Sequence, residues 1–196
     1  RGDFSLTAGL LSTFSAINAI TQWGSEKIQS TYLHSFANES DIQATFAIQE
    51  ATPAFNPFNL KTKATSNNGK YSIDGEKTLV ILGETADLLL VNAELNGSPE
   101  VFIVKRDNSI TAKKSTAMGM KAEETVTLKF NQTPAELLGD EDFNYPAFLD
   151  LGNLMWCAMA VGTCEAVKAY CIQYANERTA FGEPISHRQS VAFMIA

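Results

Sequence analysis

Residues 145–189 read YPAFLDLGNLMWCAMAVGTCEAVKAYCIQYANERTAFGEPISHRQ, and the reading of the whole chain starts there. From Phe148 to Asn176 there is no proline and only two glycines. Leu151, Leu154, Met155, Met159, Val161 and Val167 recur in steps near three or four, and Tyr170 and Tyr174 extend the pattern. That period predicts a long buried helix. Gly182 supplies a permissive backbone and Pro184 removes an N–H donor, so together they end it. Ser186-His187-Arg188-Gln189 then spells a capping box, whose Ser and Gln side chains would satisfy the first donors of a new helix.

Outward from this segment, composition sets the class. The chain has 196 residues, room for one large domain or two small ones, and 45% hydrophobic residues, enough for a sizeable core. A net charge of −7 with scattered basic residues opposes nucleic-acid binding. Lys113-Lys114 reads as a solvated strand end. Cys157, Cys164 and Cys171 are spaced by seven, roughly 10 Å apart along a helix, too far for a disulfide or a shared metal. They read as buried structural thiols in a reducing, cytoplasmic protein. His34 and His187 sit in no ligand pattern. No leader peptide is expected at Arg1-Gly2-Asp3, the run Leu154–Gly162 is too short to span a bilayer, and both ends read as cuts.

In chain order, Leu6, Leu10, Phe14, Ile17 and Ile20 predict one apolar face on a helix over 4–21. Ser25 is the expected N-cap of a second helix, 26–36, burying Ile28, Tyr32, Leu33 and Phe36. Ala44–Ile48 reads as a strand, and 51–59 as a loop with Pro53 and Pro57. The period then changes to two. Asp74-Gly75 predicts a hairpin between 71–73 and 76–82, and Asn96-Gly97-Ser98-Pro99 a second between 88–95 and 101–105. Val126, Leu128 and Phe130 alternate with polar residues. After Leu137-Leu138-Gly139 comes an acidic loop, 140–142. The expected class is α+β: the end of a helical domain over 1–43, a central antiparallel β-domain (barrel- or sandwich-like) over 44–143, and the first helices of a bundle over 144–196.

Several motifs, in this order, resemble the acyl-CoA dehydrogenase family. Trp23-Gly24-Ser25-Glu26-Lys27 is similar to a "G-(S/T)-E-x-(Q/K)" stretch. Phe46-Ala47-Ile48-Gln49-Glu50 is similar to "F-A-(L/V)-T-E", and Tyr71-Ser72-Ile73-Asp74-Gly75-Glu76-Lys77 to "Y-x-(I/L)-N-G-x-K". Ala86-Asp87, Gly119 and Leu137-Leu138-Gly139 fit as well. Glu177-Arg178-Thr179-Ala180-Phe181-Gly182-Glu183-Pro184-Ile185 with Gln189 resembles "E-R-x-x-F-G-x-x-(I/L)…Q". The resemblance implies FAD as cofactor, an acyl-CoA or related thioester as ligand, dehydrogenation at Cα–Cβ, fatty acid metabolism and an oligomer. The chain has roughly half the family's usual length.

Position by position, the resemblance implies change at the flavin. Gln49 stands where a Thr bonds the flavin, beside Ile48, and Phe55 where a loop Ser contacts cofactor and thioester. Thr78-Leu79-Val80-Ile81 stands where "x-W-I-T" packs a Trp and aims a Thr at the ring. Gly152 and Asn153 occupy positions that in some members carry a catalytic Glu and in many an Arg beside acyl-CoA. The usual catalytic Glu is expected beyond Ala196, so no catalytic residue is assigned. Arg178, Phe181 and Gln189 match residues that reach a neighbouring subunit's FAD, although such an elbow also ends a helix and packs an interface. Glu50 and Lys77 match the pattern but read as structural.

Three functions follow from the resemblance. A chain with a degenerate flavin site would bind acyl-CoA or complete a paralogous subunit's FAD site in trans, as a hetero- or homo-oligomer. Alternatively it is an active flavin dehydrogenase holding FAD through backbone N–H groups. Non-redox chemistry on the thioester ranks last, since no residue supports it.

Overall fold

The computed structural model describes residues 3–38, 42–116, 118–120, 122–123, 125–140 and 142–196. The expected leader-free start at Arg1-Gly2 and Glu141 of the acidic loop lie outside the described residues. Helices α1 (Phe4–Trp23) and α2 (Glu26–Asn38) come first, and strand β1 (Ala44–Ala47) follows. Then come β2 (Lys63–Asn67), β3 (Lys70–Val80), β4 (Leu88–Leu95), β5 (Ser98–Lys105), β6 (Ile110–Lys114) and β7 (Val126–Leu137). Helix α3 (Tyr145–Glu177), a small hairpin of β8 (Thr179–Ala180) and β9 (Glu183–Pro184), a 3₁₀ turn (Ile185–His187) and α4 (Gln189–Ile195) complete the order.

Among the described residues the strands run β1-β4-β2-β3-β7-β5, and β5 pairs back onto β4, so the sheet closes on itself. Closure removes edges that would otherwise expose unpaired backbone. The α+β architecture is thus a barrel-like sheet with helices against one outer face. Alternation in β4 and β5 divides the core in two. Leu89, Val91, Phe102 and Val104 point inward with Ile73, Val126, Leu128 and Phe130. Leu88, Leu90, Val101 and Ile103 point outward to Ile20, Ile28, Tyr32 and Phe148 of the helices.

Several local expectations are corrected. Asp74-Gly75 is not a turn, because β3 runs unbroken through it. The hairpin turn is Asn68-Gly69, both at positive φ (51° and 76°). Asp74 accepts the Gln132 N–H at 2.8 Å beside a register shift between β3 and β7. Gly75, at φ 148°, lets the Thr62 backbone approach to where a Cβ would lie 2.7 Å from its Cα. The second hairpin turns at Asn96-Gly97, and Ser98 and Pro99 already belong to β5.

Helix α1 buries Ala8, Ser15, Ala16, Ala19 and Ile20 while Leu6, Leu10 and Phe14 stay exposed. Small residues allow its backbone close to β1, and Thr13 Oγ1 donates to Ala44 O at 3.2 Å. Ser25 does cap α2, accepting from Ile28 N. Ser186 caps nothing: it lies inside the 3₁₀ turn, and Arg188 precedes α4 without a side-chain cap.

Helix α3 starts at Asn144, which caps Ala147 N at 3.0 Å. Tyr145 anchors its first turn, accepting from Asn92 Nδ2 and donating to Pro57 O, both at 2.8 Å. Burial pushes the Tyr145 hydroxyl up to about 12. The expected burial of this helix is otherwise not found: only Tyr145, Phe148 and Ala175 are buried, and Cys157 and Cys164 are exposed rather than core thiols. Helices α1 and α3 are long and apolar enough to cross a membrane by length and composition, a test that core helices of water-soluble folds also meet.

Candidate functional site

Where α1, the β1–β3 edge and the first half of α3 converge, they enclose a cavity of about 310 Å³. Its floor is buried: Ala8 and Ser15 from α1, Thr45 from β1, Ile81 after β3 and Phe148 from α3. Its mouth is made of exposed residues, the amides Gln49 and Asn153 and the apolar Leu79 and Trp156. None of the lining residues carries a charge. A site of this kind suits an apolar group with a polar, uncharged head, because buried charge would demand a partner and apolar surface gains by leaving water. It lacks an acid or base among its own walls.

The wall is fixed from behind by a buried ion pair. Lys77 Nζ lies 2.8 Å from Glu50 Oε1, with Lys77 fully buried and Glu50 3% exposed. Glu50 also accepts Lys61 N and Thr62 N at 2.9 and 3.0 Å. Burial pushes this carboxyl up, but Lys77 and the two amides outweigh it and hold it down at about 2. Burial presses the Lys77 ammonium down, against the pull of Glu50. The pair thereby ties the end of β1, the start of β2 and β3 together, directly behind Gln49 and Thr78 of the cavity wall.

Beside the pair, β3 carries a bulge. Lys77 faces Leu128 and Val80 faces Val126, so Thr78 and Leu79 share one opposite residue. Thr78 N leaves the ladder to donate to Gln49 O at 2.8 Å, and its hydroxyl pairs with Thr127 at 3.1 Å. Leu79 takes φ 55°.

The structure brings seven of the residues singled out from sequence together: Ile48, Gln49, Thr78, Leu79, Ile81, Gly152 and Asn153 all line the cavity. Phe55 does not; it sits half-buried in the 51–60 loop, away from the lining. Arg178, Phe181 and Gln189 lie at the far end of α3, also outside it. There Phe181 and Gly182 turn the β8–β9 hairpin at positive φ. Phe181 is 92% exposed, with the Arg188 guanidinium 4.8 Å from its ring centre. Arg188 and His187 both approach Glu183, at 3.9 and 3.4 Å. Sequence reasoning missed the coupling of Glu50 to Lys77, the bulge at Leu79 and the rim position of Trp156. A glutamate and a lysine close to apolar strand ends were the available signal for the first.

Comparison with known proteins bears on the family and the fold. A family described as "Acyl-CoA dehydrogenase, C-terminal domain" matches residues 146–196. An acyl-CoA dehydrogenase of Bacillus subtilis is 29% identical over 91% of this chain and 50% of its own length. A cyclohex-1-ene-1-carbonyl-CoA dehydrogenase of Syntrophus aciditrophicus is 30% identical over 88% of this chain and 45% of its own. The structure of butyryl-CoA dehydrogenase from Megasphaera elsdenii superposes with a TM-score of 0.83 at 26% identity, covering 98% of this chain and 54% of that one. The chain thus spans about half the length of the relatives it matches.

Proposed function

Since this chain belongs to the acyl-CoA dehydrogenase family, we propose that its cavity receives the acyl part of a CoA thioester and that its flavin site is degenerate. The observation that carries this is the distribution of groups around the cavity: a buried, uncharged floor, apolar at Ala8, Ile81 and Phe148, under a mouth with two neutral amides. An acyl chain would desolvate against Ile81 and Phe148, gaining about 25 cal/mol per Å² of apolar surface. Gln49 and Asn153 would meet the polar thioester end.

The family's cofactor, FAD, fits these residues poorly. At the positions that the resemblance gives to ring contacts stand Gln49, Leu79 and Ile81. The hydroxyl adjoining Leu79, that of Thr78, is paired with Thr127, and its N–H is taken by Gln49 O. Each lost hydrogen bond weakens binding by on the order of 1 kcal/mol, so several together lower affinity by orders of magnitude. On this reading the chain's own residues carry no redox step. The exposed Arg178 and Phe181 support a role as a partner subunit that completes a site on a paralogous chain.

The test is a visible spectrum with and without added FAD, together with melting curves in CoA esters. The reading expects colourless protein that ignores FAD and is stabilised by about 2.7 kcal/mol when an acyl-CoA is at a hundred times its Kd. A flavin band that co-elutes with the chain would overturn the degenerate site and make acyl-CoA oxidation the working function.

A further inference from the structure

We infer that the cavity selects an acyl group carrying a hydroxyl near its far end, recognised by Thr45 and Ser15 on the floor; this rests on the acyl-binding reading above. Thr45 is 1% exposed and lines the cavity from β1. Among the described residues its hydroxyl makes no hydrogen bond, whereas the other hydroxyls around the space are engaged. Ser15 Oγ donates to Leu11 O at 2.7 Å, Ser12 Oγ donates to Ala8 O at 2.9 Å, and Thr78 pairs with Thr127. Two buried side-chain atoms are sealed without a partner, Asn92 Oδ1 and Thr125 Oγ1, and neither residue lines the cavity. Thr45 Oγ1 is not sealed in this way, because it opens into the space.

Donor and acceptor capacity narrows the ligand. Ser12 and Ser15 each spend their one proton on the carbonyl a turn earlier, so toward the cavity they only accept. Thr45 both donates and accepts. A ketone, ether or ester oxygen only accepts, so Thr45 alone would serve it. An alcohol donates to the serine and accepts from the threonine. A carboxylate or an ammonium group is disfavoured, since no lining residue carries a charge. A plain alkyl chain drives water from Thr45 and returns no partner, and a buried hydroxyl left unpaired weakens binding. A site with a polar group placed for a substrate hydroxyl therefore rejects the analogue without it, which a wholly apolar pocket scarcely does. Position makes the hydroxyl a distal one. Thr45 and Ser15 belong to the buried floor, whereas Gln49 and Asn153, which meet the thioester end, stand at the mouth.

Binding of butyryl-, hexanoyl- and octanoyl-CoA and of their ω-hydroxy counterparts to the purified chain is measured by calorimetry. Wild type, Thr45→Val, Thr45→Ser and Ser15→Ala are compared, alongside their melting temperatures. At one or more lengths wild type is expected to bind the ω-hydroxyacyl-CoA on the order of tenfold tighter than the unsubstituted chain. Thr45→Val, close to threonine in shape, is expected to bring that ratio to about one, Thr45→Ser to keep most of it and Ser15→Ala to lower it. Because the Thr45 hydroxyl has no partner in the protein, Thr45→Val is expected to melt no lower than wild type. Equal affinities at every length, with wild type binding, overturn the inference alone. So does a preference that persists unchanged in Thr45→Val or in Ser15→Ala. A Thr45→Val chain that melts well below wild type makes the hydroxyl a structural one and overturns the inference as well. Wild type that binds neither kind of acyl-CoA overturns the acyl-binding reading itself, and this inference with it.

Discussion

Lys77 is among the largest fully buried side chains of the described residues, and its charge is tolerated only because Glu50 lies against it. Removing one member of a buried pair leaves the other uncompensated, which costs about 3–5 kcal/mol, whereas removing both with good packing is far milder. Lys77→Met alone should therefore destabilise more than Lys77→Met with Glu50→Gln, measured by denaturant unfolding. A double variant whose loss equals the sum of the two singles would rule out the coupling. The pH dependence follows from Glu50, whose carboxyl is held below its ordinary value of 4.5 at about 2. Its folded form binds fewer protons than the unfolded one, so its contribution is whole above about 4.5. It fades as pH falls toward about 2, by on the order of 3 kcal/mol. The Glu50→Gln variant should lose this acid limb, and retention of an identical limb would assign it to other carboxylates. At this scale the sequence was half legible. Ile48, Gln49, Ile81 and Asn153 were placed by motif and do meet around one cavity. The φ of Leu79 was not legible, since Thr-Leu-Val-Ile reads as an ordinary β-branched and aliphatic strand run and a bulge leaves no mark in side-chain type.

Among the elements, β3 shows most clearly how local chemistry can mislead. Asp74-Gly75 has the residues of a two-residue turn, yet here the aspartate holds the Gln132 N–H and the glycine makes room for Thr62. Both uses need tertiary partners far along the chain, so no window of local sequence could separate them from a turn. Gly75→Ala should cost about 2 kcal/mol, through positive φ and the 2.7 Å clash, read as a lower denaturation midpoint at unchanged slope. An unchanged midpoint would mean that β3 can shift away from Thr62 freely. Helix α1 teaches the converse point. Its existence was plain from period, and Ile20 is buried as expected, but Leu6, Leu10 and Phe14 marked the wrong side, because close packing on β1 selects small residues.

For the molecule as a whole, the order of blocks was readable: helical period, then period two, then helical period again. What that order hid was how little of α3 is covered. Leu154, Val161, Val167, Tyr170 and Tyr174 are all exposed, along with Phe193 and Met194 of α4. Its periodic apolar pattern was read as burial, which period alone does not establish. A contiguous apolar surface of this kind drives association. The 196-residue chain should sediment above monomer mass as concentration rises, and Val161→Lys with Tyr170→Lys should weaken that. A monomer at all concentrations that binds no apolar dye would refute it.

Helix α3 also has the proportions of a cantilever. Gly152, Asn153, Met155, Trp156 and Met159 of it line the cavity, Tyr145 and Phe148 are buried at its root and Ala175 close to its end, and the Phe181 hairpin rides on its distal tip. At 1.5 Å per residue the 33-residue beam is about 50 Å long, so a tilt of ~5° at the root sweeps the tip by roughly 4 Å. Were filling or emptying the cavity to tilt α3 that far, the remote end would register it as a displacement larger than a bond length.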